Sequence, residues 1–143
     1  PAGSAFDPTG KEGLADMLAG LLTRGAGKRS GAAVASAVES AGGSLRAGAD
    51  PDYLTLQADF VSSQAALGFE LFGDAVLRPA LDSADLAVIA ARTAAALEAG
   101  LGDVGSLAAR VFLAATYQGH PYGRRPSPQS VQAVRREDFQ EIR

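Results

Sequence analysis

One pair of adjacent strands in an otherwise helical pattern is the feature that most constrains this fold. Apolar and polar side chains alternate along Tyr53–Val61, which is the period of a half-buried β-strand. The short run Ser44–Ala49 precedes it, and Asp50-Pro51 between the two predicts a turn that makes the strands antiparallel. Because an isolated strand pair is marginally stable, we expect this pair to belong to a larger mixed or antiparallel sheet.

Helical periodicity surrounds the strand pair on both sides. Between residues 11 and 23, leucines recur at i, i+4, i+7 and i+8, which predicts a helix with one apolar face. Ser30 is a suitable N-cap for a second helix that reaches Ala41 and turns Val34 and Val38 inward. After the strands we predict helices over 64–77, 82–101 and 106–117, and short helical turns at 130–134 and 137–142.

Polar residues and glycines mark where the predicted elements begin and end. The segment Pro1–Thr9 has the composition of a strand end that runs into a turn. Gly25 and Gly27 follow the first helix and end it. Asp82 is the predicted N-cap of the long fourth helix, and Asp85 is placed to complete a capping box.

The order of these elements predicts the fold class. Strands and helices are grouped rather than strictly alternating, so we expect an α+β fold in which several helices pack against part of a sheet. The chain has 143 residues, a length typical of one domain. Both ends fall close to predicted elements, so we expect a single partial domain over residues 1–143, truncated at both ends.

Composition narrows the classes of partner. The net charge is −3 with a sequence pI of about 5.1, whereas a nucleic-acid surface normally has a basic excess. We expect the short basic pair Arg124-Arg125 to be solvated.

Runs of 18 or more apolar residues are missing from the sequence, so we expect no membrane span. The absence of cysteine fits a bacterial periplasm and a cytoplasm equally well.

Four stretches of the sequence, in order and with compatible spacing, resemble the N-terminal domain of the insulinase/pitrilysin family of zinc peptidases. That family includes the mitochondrial processing peptidases and many bacterial relatives. The resemblance implies an α+β domain that is longer than this chain at both ends. The stretches cover 3–30, 39–60, 77–86 and 119–139.

In active members of the family, the first helix carries an inverted zinc motif, H-x-x-E-H. Its two histidines lie one helical turn apart on the same face, so both reach one metal ion. The glutamate between them polarises the metal-bound water. A third ligand, another glutamate, comes from a later helix.

This sequence departs from that motif at all four positions. The resemblance places Asp16 at the first histidine, Ala19 at the catalytic glutamate and Gly20 at the second histidine. Counting back from the landmark 105–110 places Ala96 at the distal glutamate. The chain has one histidine and no cysteine, while catalytic zinc takes three protein ligands that are rich in histidine. We therefore expect no zinc cofactor and no catalytic residue in this chain.

The resemblance also implies a place for a peptide. In active relatives, the strand after the glycine pair lies at a sheet edge, and the substrate adds to it as a further strand. Here that strand is Ser44–Ala49, with Arg46, Ala47 and Gly48 as candidate peptide-binding residues. An unpaired edge offers main-chain donors and acceptors whatever its side chains are, so this mode of binding does not need the metal.

Three functions remain open from the sequence. The first is a non-catalytic subunit that encloses peptide substrates together with an active zinc peptidase subunit, or as a homo-oligomer. The second is a stand-alone peptide-binding or scaffold protein. The third is an active metallopeptidase whose metal has moved to Asp16, His120 and a residue of a partner. Otherwise His120 is a structural residue in the turn 120–123, with Tyr122 packed under it.

Overall fold

The computed structural model describes residues 2–140 and places helices against one face of an antiparallel strand pair. The α+β class is confirmed, and the strands of the described residues form two separate two-stranded sheets. Turns of 3₁₀ helix cover Ser4–Phe6, Ser62–Gln64, Pro121–Gly123 and Arg136–Gln140. The main elements are α1 (Leu14–Leu22), β1 (Gly25–Ala26), β2 (Arg29–Ser30), α2 (Gly31–Ser40), β3 (Ser44–Ala49), β4 (Leu54–Asp59), α3 (Ala65–Leu77), α4 (Ser83–Gly100), α5 (Val104–Thr116) and α6 (Pro128–Ala133).

The strand pair β3–β4 is antiparallel, as predicted, and its register places Ala47 opposite Leu56 and Ser44 opposite Asp59. Alternate residues of β4 are exposed, whereas Leu54, Leu56 and Ala58 are half-buried. That apolar face packs against α1 and α3, so burial on one side only explains the alternating sequence.

Helix α1 is the centre of the hydrophobic core. Leu14, Met17 and Leu21 are at most 1% exposed, and residues of α4, α6 and the final turn pack around them. The leucine pattern of the sequence therefore corresponds to real burial, on a helix that is enclosed on most of its circumference. The other members of this cluster are Leu86, Ala94, Val131, Val134 and Phe139.

A buried carboxylate starts α1. Asp7 is 3% exposed, and its two side-chain oxygens accept hydrogen bonds from the amides of Gly13 at 2.7 Å and Ala15 at 2.9 Å. Gly13 has φ of +103°, a left-handed conformation that glycine adopts without strain. Burial raises the pKa of the Asp7 carboxyl, and the two amide hydrogen bonds oppose that rise.

The N-terminal segment is not a strand, so the prediction for Pro1–Thr9 was wrong over the part that the structure describes; Pro1 lies outside it. The segment forms a 3₁₀ turn whose amides are already engaged. Ser4 and Ala5 donate to the carbonyls of Asp50 and Pro51, both at 2.9 Å. These contacts join the segment to the end of β3 instead of to a neighbouring strand.

The loop after α5 holds the N-terminal segment in place. The Arg124 guanidinium donates to the carbonyls of Asp7 at 2.8 Å and Ala5 at 2.6 Å, and the Tyr122 hydroxyl donates to Asp52 at 2.6 Å. The prediction that Arg124 is solvated was therefore wrong, because its half-buried side chain is bound to two main-chain carbonyls. Arg125 is exposed, as predicted.

Several boundaries differ from the sequence predictions. Gly25 and Gly27 belong to a short hairpin of β1 and β2 rather than to a simple helix end. Asp82 caps α4 as predicted, but Asp85 forms an ion pair with Arg24 at 3.3 Å instead of closing a capping box. Helix α5 starts earlier than predicted because Asp103 caps it. Of the predicted turn at 137–142, residues 141 and 142 lie outside the described residues.

Replacing Asp7 with alanine leaves the Gly13 and Ala15 amides without acceptors at the buried start of α1. We expect the free energy of unfolding to fall by about 1–3 kcal/mol, measured by urea denaturation. Asp103→Ala is the matched control, because Asp103 caps α5, in which no residue is buried. An equal loss for the two variants would contradict the assignment of Asp7 as the anchor of the core helix.

Candidate functional site

The four positions to which the resemblance assigns the zinc motif lie on two packed helices. Asp16, Ala19 and Gly20 are on α1, and Ala96 is on α4. Asp16 and Ala96 are exposed, Gly20 is half-buried and Ala19 is 3% exposed. Two of the positions therefore face solvent, while Ala19 lies inside the packing around α1.

Helix α4 approaches α1 at Gly20. A Cβ atom built on Gly20 would lie 3.3 Å from Cδ1 of Ile89. Ile89 is itself half-buried and packs against the central hydrophobic cluster. The glycine thus lets an isoleucine of α4 lie close to the α1 backbone at this point.

Asp16 is the only one of the four residues with an ionisable group. Its carboxylate is exposed at the helix surface, yet the surrounding protein displaces enough water to raise its pKa. The charge of Asp16 also adds to the raised pKa of Asp7. The charge of Asp16 therefore disfavours the ionised form of the Asp7 carboxyl at the start of α1.

The donor atoms at these positions do not fit a zinc ion. Alanine and glycine side chains have no atom that binds a metal, so Asp16 alone offers oxygen ligands. Within residues 2–140, no group of three or more His, Cys, Asp and Glu side chains is arranged to hold a metal ion. The chemistry of the H-x-x-E-H motif cannot be assigned to this set of residues.

His120 caps the turn that follows α5. Its Nδ1 accepts a hydrogen bond from the Tyr122 amide at 3.2 Å, so Nδ1 is an acceptor here and the ring proton is on Nε2. The ring meets Tyr122 edge-on with centroids 4.7 Å apart. The predicted turn over 120–123 is confirmed, with His120 exposed and Tyr122 tied to Asp52 below it.

Strand β3 has a free edge within the described residues. Of residues 2–140, only β4 pairs with β3. Arg46 and Gly48 are exposed, whereas Ala47 is half-buried on the face that packs against the helices. No atom of the described chain lies within 4 Å of a Cβ built on Gly48, so the polar face beside that edge is open.

Sequence reasoning missed a charge cluster where the β1–β2 hairpin meets α3. Asp74 is 5% exposed; it accepts from Arg29 at 3.4 Å and pairs with Arg78. A Cβ on Gly27 would lie 2.4 Å from Asp74 Oδ2, so only glycine fits there. The i, i+4 spacing of Asp74 and Arg78 was the one available signal. The cluster fixes the hairpin against α3 beside an open cavity of about 590 Å³.

Comparisons with known proteins agree with this geometry. A sequence model described as Insulinase (Peptidase family M16) matches residues 1–126. A peptidase M16 inactive domain from Pseudomonas fluorescens is similar in structure, with a TM-score of 0.90 and 23% identity over 99% of this chain and 35% of that one. No curated protein sequence matches the chain.

Two further solved structures have the same fold. A protease from Helicobacter pylori gives a TM-score of 0.78 and 20% identity over 98% of this chain and 35% of that one. Pitrilysin gives 0.73 and 25% identity over 99% of this chain and 16% of that one. The chain thus spans about a third of the length of the first two structures.

The raised pKa of Asp16 predicts a pH effect. A carboxylate whose pKa is raised by folding favours the folded state while protonated, so its contribution to stability declines as the pH rises from below 3.8 towards neutrality. Asp16→Asn removes that decline and part of the rise in the pKa of Asp7. We expect the variant to be more stable at neutral pH by at most about 0.5 kcal/mol, because the group is exposed.

Thermal unfolding of the Asp16→Asn variant across this pH range checks the effect. Glu98→Gln is the control, since it removes one negative charge from the exposed surface of α4. If the stability of Asp16→Asn and that of Glu98→Gln depend on pH in the same way, the environment of Asp16 is not the cause of the change in stability.

Proposed function

Because the chain belongs to the insulinase family of peptidases, we propose that it is a non-catalytic subunit or domain that has lost the zinc-binding H-x-x-E-H motif. In this proposal the chain binds no zinc as a resident cofactor and cleaves no peptide by itself. It forms one wall of a chamber that encloses the peptide and offers an edge strand inside it, while an active partner subunit carries the catalytic residues.

The observation that carries the proposal is the set of side chains at the motif positions. Ala19 is inside the packing of α1, Gly20 lies against Ile89, and neither can bind a metal or activate water. The similarity to a solved structure described as an inactive domain supports the same conclusion.

The proposed partner is an active zinc peptidase subunit, with a second copy of this chain as the simpler possibility. Two such halves would close around a peptide, and this chain would provide shape and charge rather than catalysis. Among residues 2–140 there is no helix with both the length and the apolar character that a membrane crossing requires.

The proposed contact with peptide is the free edge of β3, at Arg46, Ala47 and Gly48. The edge presents main-chain donors and acceptors, and Gly48 leaves room beside it. Such a contact recognises the peptide mainly through hydrogen bonds to its backbone rather than through its side chains. The exposed Arg46 would favour acidic residues in the bound segment.

The same edge favours a second candidate, a stand-alone peptide-binding or scaffold protein with no peptidase partner. A relocated metal at Asp16 and His120 is less well supported. Nδ1 of His120 already accepts a hydrogen bond from the Tyr122 amide. Only the other imidazole nitrogen and the Asp16 carboxylate would then be left to hold the ion, together with a residue of another chain.

Elemental analysis of the purified chain tests the loss of the metal site. We expect far less than one zinc per chain and no peptidase activity that a chelator removes. Stoichiometric zinc together with chelator-sensitive cleavage would falsify the proposal. Capture of an active peptidase with an intact H-x-x-E-H motif, encoded beside this chain, would favour the heterodimer over the stand-alone protein.

Peptide titration followed by NMR tests the edge strand. We expect shifts confined to 44–49 and their neighbours when an extended acidic peptide is added, because the added strand bonds to the β3 backbone. A peptide of the same sequence with N-methyl groups at alternate residues is the control, since it cannot complete the ladder. Equal binding of both peptides would contradict backbone recognition at β3.

A further inference from the structure

We infer that apolar packing between α1 and α4 now occupies the space that a metal site at the motif positions would need. Returning the metal-binding side chains would therefore not restore zinc binding unless Ile89 were also made smaller. This inference rests on the proposed function, because it uses the same four positions. It goes further by assigning the block to a residue outside the motif.

The contact that carries the inference is at Gly20. The direction of a Cβ atom is set by the backbone, and at this position it would lie 3.3 Å from Cδ1 and 3.9 Å from Cγ2 of Ile89. Even a methyl group would require Ile89 to move by a few tenths of an ångström. An imidazole at the same position would start in the same direction and extend further.

Ile89 is half-buried, so moving it would disturb its packing. It packs against the central cluster together with Ala90 and Leu97 of the same helix. It also lies seven residues before Ala96, which is about two helical turns, so both residues lie on nearly the same side of α4. A ligand at position 96 would thus project from the same side of α4 as Ile89, about two turns further along the helix.

The motif positions differ in what they tolerate. Asp16 and Ala96 are exposed, so a histidine or glutamate there can remain solvated. Ala19 is 3% exposed, and a glutamate there would place a carboxylate in apolar packing without a partner, which is costly. The packed positions therefore oppose restoration of the motif, while the exposed positions do not.

Two variants test the inference through zinc binding. The ligand variant combines Asp16→His, Gly20→His and Ala96→Glu, and the second variant adds Ile89→Ala. We expect the ligand variant to lose about 5 °C or more in Tm and to bind no zinc at one equivalent in competition with a fluorescent chelator. The variant with Ile89→Ala should show a rise in Tm on zinc addition that the first variant does not. One zinc bound by the ligand variant with an unchanged Tm would overturn the inference.

A smaller substitution keeps the test decisive if the ligand variant does not fold. Gly→Ala inside a helix normally stabilises it by up to about 1 kcal/mol, and Gly73 of α3, with no atom within 4 Å of its Cβ position, is the matched control. We expect Gly73→Ala to raise Tm and Gly20→Ala to raise it less or to lower it. In an Ile89→Ala background, Gly20→Ala should regain the rise.

If Gly20→Ala raises Tm as much as Gly73→Ala in both backgrounds, Ile89 does not obstruct position 20 and the inference is wrong. These results are separate from the zinc content of the unmodified chain. Zinc in the unmodified chain would reject the proposed function, whereas zinc in the ligand variant alone would reject only the obstruction by Ile89.

Discussion

The burial of α1 is the constraint on which the rest of this structure depends. Its apolar side chains form the centre of the core, and α4, α6 and the final 3₁₀ turn pack around it. The Asp7 carboxylate holds the start of the helix, and Arg124 in turn holds the carbonyl of Asp7. A helix fixed in this way positions the sheet face, because β3 and β4 pack on the same helix.

The helix on which the family resemblance places the catalytic motif is therefore also the helix that carries the core. When such a helix has no metal-binding side chains, apolar side chains of a neighbouring helix can pack in the space that those side chains would take. Ala19 is enclosed, and Gly20 brings Ile89 close to the backbone. Close packing of this kind opposes a larger side chain at position 20, so in our proposal the loss of the metal site and the contact between Gly20 and Ile89 belong together. Within the described residues, the outer edge of β3 lies outside this contact and has no strand paired with it.

Much of the fold could be predicted where one local signal decides the outcome. Ser30 caps α2 as its side chain and position suggested, β3 has the predicted bounds, and α3 ends at Leu77 before Pro79. Elements that depend on distant partners could not be predicted in this way. The two-residue strands β1 and β2 are too short to have a period, and Arg124 finds carbonyls more than a hundred residues away in sequence.

In the candidate site, too, some features follow from the local sequence and others depend on contacts between distant residues. The family resemblance predicts that Asp16, Ala19, Gly20 and Ala96 stand at the motif positions, and that assignment remains a prediction. The contact between Ile89 and Gly20 depends on how two helices cross and could not be predicted from the sequence. The most direct measurement of the central claim is a crystal structure of the chain grown with equimolar zinc, with anomalous data collected at the zinc edge. We expect no anomalous peak between α1 and α4. A peak about 2.0–2.2 Å from Asp16, with further protein ligands around it, would contradict the account.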